Sequence, residues 1–96
     1  MVKRKLVLSK SFEKAYLKFV SKRPILKNAI QKSILLLEAD ALNPKLKTHK
    51  LSGNLYGLFA CSCGYDCRII FSIEVNKSTK EEEVILIDLG THDEVY

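Results

Sequence analysis

Few side chains in this 96-residue chain can do chemistry near neutral pH. The two histidines, His49 and His92, each follow a threonine, in Lys47-Thr48-His49-Lys50 and Gly90-Thr91-His92-Asp93. An imidazole titrates near neutrality, so two of them converging on one cleft can serve as base and acid. Two unrelated surface histidines is the other reading, and spacing alone does not choose between them. Arg68 opens the apolar run Ile69-Ile70-Phe71. Strand alternation puts Arg68, Ile70 and Ser72 on one face and Cys67, Ile69 and Phe71 on the other. A guanidinium on a sheet face needs an anion or open water, and its planar fork of donors suits phosphate. A salt bridge to Asp66, Glu74 or Asp88 is the plain alternative.

The cysteines stand as Cys61, Cys63 and Cys67, a C-x-C-x3-C spacing. An odd number cannot pair completely, and so small a set does not make a secreted disulfide framework. As metal ligands the three thiolates lack the fourth donor of a structural zinc site, unless His49 or His92 converges on them. Reduced thiols packed as small apolar side chains are the expectation. No glycine-rich phosphate loop, H-E-x-x-H motif, G-x-S-x-G elbow or two-metal acid cluster is present. Glu81-Glu82-Glu83 reads as a solvated hairpin end, and the aromatic signature of an RNA-stacking sheet is missing.

These residues must be positioned by one small domain, residues 1–96. At 47% hydrophobic and 28% charged, the chain is too apolar for disorder and long enough for one core. No apolar run exceeds four residues, as in Ile34-Leu35-Leu36-Leu37, far short of a membrane span. Met1-Val2-Lys3-Arg4-Lys5 mimics the charged head of a signal peptide, but only Leu6-Val7-Leu8 follows it. The expectation is a soluble, cytoplasmic protein.

Charge is divided unevenly within the net +5. Residues 1–50 carry 13 Lys/Arg against Glu13, Glu38 and Asp40, a balance of +10, whereas residues 51–96 balance at −5. A basic half attracts polyanions such as RNA or DNA, or an acidic protein segment; a merely solubilising shell of lysines is the alternative.

Along the chain, Lys3–Leu8 reads as a short strand. Ser9 or Ser11 can cap a helix with Phe12, Tyr16, Phe19 and Val20 on its apolar face and Lys10, Lys14, Lys18 and Lys22 in a stripe. Pro24 suits the first turn of a second helix carrying Ile25, Leu26, Ala29, Ile30, Ile34 and Leu37, which ends before Asn43-Pro44. Leu55–Cys63 and Cys67–Val75 are two β-like runs around the turn Gly64-Tyr65-Asp66, and Asn76–Lys80 is a second turn. Glu83–Leu89 is apolar enough for a central strand. The order is β-α-α-β-β-β: an α+β domain with a small, antiparallel-type sheet and two helices on one face, its other face left free for a site.

Leu51-Ser52-Gly53-Asn54-Leu55-Tyr56-Gly57-Leu58, then Asp66-Cys67-Arg68-Ile69-Ile70-Phe71, then Gly90-Thr91-His92-Asp93-Glu94-Val95-Tyr96 resembles the RelE/ParE toxin superfamily, closest to its RelE/StbE, YafQ-like branch. The three motifs keep their order and separations over essentially the whole domain. The resemblance implies the toxin half of a type II toxin–antitoxin pair: a ribosome-dependent mRNA endonuclease that uses no metal or cofactor. The substrate's 2′-hydroxyl attacks the adjacent phosphate to leave a 2′,3′-cyclic phosphate. It implies His92 as proton donor, His49 at a position held in relatives by histidine or glutamate, Arg68 on the phosphate, and Asp66 setting the histidines' charge. Tyr96 matches an aromatic that stacks on a base. Lys47, Lys50, Lys10, Lys14 and Lys18 would hold message and ribosomal RNA. Partners implied are an acidic cognate antitoxin, in a hetero-oligomer, and the ribosome, with the toxin alone a monomer. A departure is Ala60-Cys61-Ser62-Cys63, where YafQ-like relatives carry another histidine. The alternatives are a ParE-like inhibitor of DNA gyrase and an inactive relative that keeps only antitoxin binding.

Overall fold

Ser9 begins the helical layer. In the computed structural model, which describes residues 4–95, its hydroxyl accepts the N–H of Phe12 at 3.1 Å and caps α1 (Lys10–Lys22). Phe12 and Phe19, two helical turns apart, are the buried residues of that helix. Pro24 opens a single tight turn, Pro24–Leu26, closed by the Leu26 N–H on the Arg23 carbonyl at 3.0 Å, and α2 (Lys27–Ala39) starts only after it. Ile30 and Leu37 repeat the seven-residue spacing on the buried side of α2.

The strands are β1 (Lys5–Leu8), β2 (His49–Lys50), β3 (Phe59–Ser62), β4 (Arg68–Val75) and β5 (Glu82–Gly90), followed by a one-turn helix α3 (His92–Val95). They form one sheet in the order β1-β5-β4-β3-β2. The α+β class stands as read from the sequence, but the sheet is mixed, because β1 lies parallel to β5 with Leu6 opposite Val84. Parallel neighbours need a long crossover, and here everything from α1 to β4 lies between the two strands. β5 is an interior strand, between β1 and β4, in keeping with its apolar run. Where β1 stops, α1 takes over the edge of β5: the Ser9 N–H donates to the Leu86 carbonyl at 3.1 Å and the Ser11 hydroxyl to the Ile87 carbonyl at 2.7 Å.

The run expected as a strand from Leu55 is one only from Phe59. Gly53 (φ 66°) and Gly57 (φ 92°) take left-handed backbone, and Gly53–Leu55 curls into a 3-10 turn. The two-residue β2 ahead of it has no counterpart in the β-α-α-β-β-β order. The core lies between helices and sheet, with Phe71, Ile69, Val84 and Leu86 meeting Phe12, Phe19, Ile30 and Leu37. Phe59 and Phe71 stack with ring centroids 5.6 Å apart, a contact worth roughly 0.5–1.5 kcal/mol beyond burial.

The cysteines correct the expectation of three reduced thiols. Cys63 and Cys67 are disulfide-bonded at the neck of the β3–β4 hairpin, with Cα atoms 5.1 Å apart. The turn brings them face to face, the Cys63 N–H donating to the Cys67 carbonyl at 2.9 Å, and that separation suits a disulfide. Cys61 alone behaves as a small apolar side chain; it is free and buried, and loss of hydration pushes its thiol pKa up to about 12. No helix among the described residues is long and apolar enough to cross a membrane.

Candidate active site

Sheet register decides which side chains meet. Residues directly opposed across antiparallel strands share a face. His49 pairs with Ala60 and Ala60 with Ile70; one row along, Ser62 pairs with Arg68 and Arg68 with Gly90. Cys61 and Ile69 alternate with these positions and belong to the core beneath the helices. His49 and Arg68 therefore stand on the face turned away from α1 and α2. With Lys47 and Ser62 they line a cleft of about 280 Å³. This face is less bare than expected: Ala60 and Ile70, which share it, are buried.

The segment carrying the first histidine is anchored locally. Thr48 donates its hydroxyl to the Ala41 carbonyl at 2.7 Å, just beyond α2. Lys47 takes left-handed backbone (φ 53°), which turns its carbonyl back toward the imidazole. Nδ1 of His49 lies 3.1 Å from that carbonyl oxygen, so Nδ1 carries the proton and donates. In the neutral ring the basic lone pair is then on Nε2.

Arg68 is held by one short bond, from Nη1 to the Cys67 carbonyl at 3.1 Å. The salt bridges open to it in sequence are not made. Asp66 accepts the N–H of His92, Glu74 accepts the Ser72 hydroxyl, and Asp88 accepts the Leu89 N–H. Among the described residues the only ion pair is Arg4–Glu82, at 3.1 Å. A half-buried guanidinium without a carboxylate partner favours an anion from outside.

His92 begins α3, two residues past Gly90, the partner of Arg68 across β4 and β5. Its main-chain N–H donates to the Asp66 carboxylate at 3.1 Å, tying α3 to the β3–β4 turn. Asp66 itself takes left-handed backbone (φ 48°). Its observed contact is thus with the main chain of His92. Val95, at the end of α3, joins His49, Leu51 and Leu55 around a second cleft, of about 520 Å³.

The remaining candidates are spread out. Lys50 pairs with Phe59 and so points to the opposite side of β2 from His49, beside Leu51 and Tyr56. Lys10, Lys14 and Lys18 are exposed on α1. Lys18 joins Lys22 and Arg23 in another cleft, of about 320 Å³, against Asp88 and Leu89. Tyr96 lies outside the described residues. Ser62 was not singled out in the sequence, although alternation from the buried Ala60 carries the signal. Among the described residues no group of three or more His, Cys, Asp or Glu side chains is arranged to hold a metal ion.

Comparison with known proteins agrees with this fold. No curated protein matches the chain. A metal-bound toxin from Helicobacter pylori is 26% identical, covers 97% of this chain and 99% of its own, and superposes with a TM-score of 0.72. YafQ from Escherichia coli strain BL21(DE3) is 20% identical, with 97% and 98% covered and a TM-score of 0.77. YafQ in the E. coli DinJ–YafQ toxin–antitoxin complex is 22% identical, with 99% of both chains covered and a TM-score of 0.69. At their identities the two YafQ structures speak for the fold alone. The family model described as the bacterial toxin of type II toxin–antitoxin system, YafQ, matches residues 4–96, and the chain belongs to that family.

Proposed function

We propose that this toxin is a ribosome-dependent mRNA endonuclease of the cytoplasm that needs no metal or cofactor and is neutralised by a cognate antitoxin. What supports the reading is the cleft shared by His49, Arg68 and Lys47, together with the bond from the main-chain N–H of His92 to Asp66, two residues before Arg68 in the chain. Cleavage by the neighbouring 2′-hydroxyl needs a base, an acid and positive charge on the phosphorane-like transition state. His49 Nε2 takes the 2′-hydroxyl proton as that oxygen attacks phosphorus. Arg68 and Lys47 receive the charge gathering on the non-bridging oxygens. The bond from phosphorus to the 5′ oxygen breaks, and His92 returns a proton to it, leaving a 2′,3′-cyclic phosphate and a 5′-hydroxyl.

The basic first half of the chain supports an RNA-bound setting, with the α1 lysines on ribosomal RNA phosphates. An acidic antitoxin segment suits the same charge, and E. coli YafQ is seen with DinJ as its antitoxin. The test is controlled expression followed by primer extension on cellular messages, with His92→Ala alongside. Codon-phased cuts that vanish in the variant support the nuclease. Intact messages with gyrase-linked DNA damage overturn it in favour of a gyrase inhibitor; intact messages and DNA, with antitoxin still bound, leave an inactive binding domain.

A further inference from the structure

Beside the His49–Arg68 cleft lies the larger hollow, of about 520 Å³, and His49 lines both. Its size falls in the range of about 300–1,000 Å³ usual for small-ligand clefts. Leu51, Leu55 and Val95 supply apolar walls, while Ser52 and Asn54 supply the polar groups. The loop carrying them is stiff: Leu51 N–H donates to the Leu58 carbonyl at 3.0 Å, Tyr56 N–H to the Gly53 carbonyl at 3.1 Å and Leu58 N–H to the Leu55 carbonyl at 3.0 Å. All these backbone bonds are satisfied within the turn. Among the described residues, neither the Ser52 hydroxyl nor the Asn54 amide makes an intramolecular hydrogen bond, and both residues are exposed. A rigid loop thus presents a donor–acceptor amide and a hydroxyl, between apolar walls, next to a phosphate-sized cationic cleft.

We infer that this hollow is a base-reading subsite, in which a nucleobase adjoining the phosphate at Arg68 lies against Leu51, Leu55 and Val95 and is read by Asn54 and Ser52. The inference rests on the endonuclease reading for its substrate. Single-stranded RNA is recognised in this manner, by faces that stack or pack and by hydrogen bonds to base edges. A side-chain amide offers one acceptor and two donors, so it can tell one base edge from another. Because His49 lines both clefts, they adjoin at its side chain, an arrangement that suits a phosphate and the base next to it.

The test uses binding, so it needs no turnover. Isotope-labelled protein is titrated with RNA tetranucleotides blocked by a single 2′-deoxy nucleotide, in two series that vary the base on either side of the blocked linkage. The expected result is backbone shifts at Ser52, Asn54, Leu55 and Val95 together with Arg68, and a spread of about tenfold in Kd across the four bases of one series. Asn54→Ala narrows that spread to about threefold, and Asn54→Asp, which trades the amide donor for an acceptor, reorders the bases. Ser52→Ala serves as the second variant should either Asn54 change disturb the loop. Equal binding of all bases by the unaltered protein overturns the inference, as do variants that keep the original ranking. So does a loop unmoved by RNA yet shifted by a protein partner. Base discrimination without message cleavage fells the nuclease reading alone; cleavage without discrimination fells this one alone.

Discussion

The carboxylate of Asp66 holds the main-chain N–H of His92 at 3.1 Å, and through that bond the turn between β3 and β4 sets where the last helix starts. The two residues are 26 apart in sequence. Asp66→Ala removes the acceptor, whereas Asp66→Asn keeps an oxygen there. Asp66→Ala should lose about 1 kcal/mol of stability and at least about tenfold in message cleavage. Asp66→Asn should keep most of both. Thermal unfolding and amide hydrogen exchange over 91–95 check the structural half; equal behaviour of the two variants would show the bond to be idle.

Arg68 makes one hydrogen bond, to a neutral carbonyl of its own chain neighbour, and no ion pair among the described residues, so little of the fold depends on its charge. Arg68→Ala should unfold within a few degrees of the unaltered protein while cleavage falls by about 10²–10³-fold. Arg68→Lys, which loses the planar fork, should recover only part of it. Primer extension with purified ribosomes gives the rates, and circular dichroism the folding.

Cys61 provides a pH signature. Loss of hydration raises its pKa from 9.0 to about 12 in the folded chain. Above pH 9 the unfolded chain sheds this proton first and so binds fewer than the native state. The contribution is complete below pH 9 and declines as pH rises toward 12. Urea unfolding between pH 8 and 11 should lose less stability in Cys61→Ala than in the unaltered protein. In native buffer Cys61 should resist iodoacetamide, then react on unfolding; rapid native alkylation would contradict its burial.

The Cys63–Cys67 crosslink closes a loop of only four residues' separation, so its effect on the unfolded chain is modest. Cys63→Ser with Cys67→Ser, or reduction by a dithiol, should cost about 2 kcal/mol. Because Asp66 and Arg68 flank Cys67 in the chain, amide exchange at 64–68 should rise more than elsewhere. Differential scanning fluorimetry with and without reductant measures the first effect, and mass-resolved exchange the second.

Exposed Lys10, Lys14 and Lys18 should act through charge. Exchanging all three for Gln should lower the slope of log affinity against log salt for ribosome binding by about 2. An unchanged slope, measured by sedimentation across a salt series, would remove the stripe from the interface.

Much of this was legible in the residues, because period and punctuation act locally. Ser9, one of the two serines the pattern offers, caps α1, and the apolar run of β5 announces an interior strand. Arg68 and Ile70 shared a face by alternation alone. What escaped depended on distances no spacing encodes. The parity of the cysteines hid a disulfide that only the hairpin's geometry reveals. The direction of β1 was set by a crossover spanning most of the chain. Gly57 lies inside the run expected as a strand and cuts it short, because only the folded turn shows its left-handed backbone, and the two-residue β2 that carries His49 has too few residues for any pattern. Asp66 was noted for its charge, but its contact with His92 belongs to tertiary packing.

The borders of the sheet carry a last implication. One rim is four residues long and gives way to α1, whose serine occupies a carbonyl that would otherwise stay open; the other rim is two residues long. Neighbouring copies find almost no bare backbone to zip onto. For a member of a toxin family whose fold must stay available to a different protein, edges this short leave little to pair with a second copy of itself.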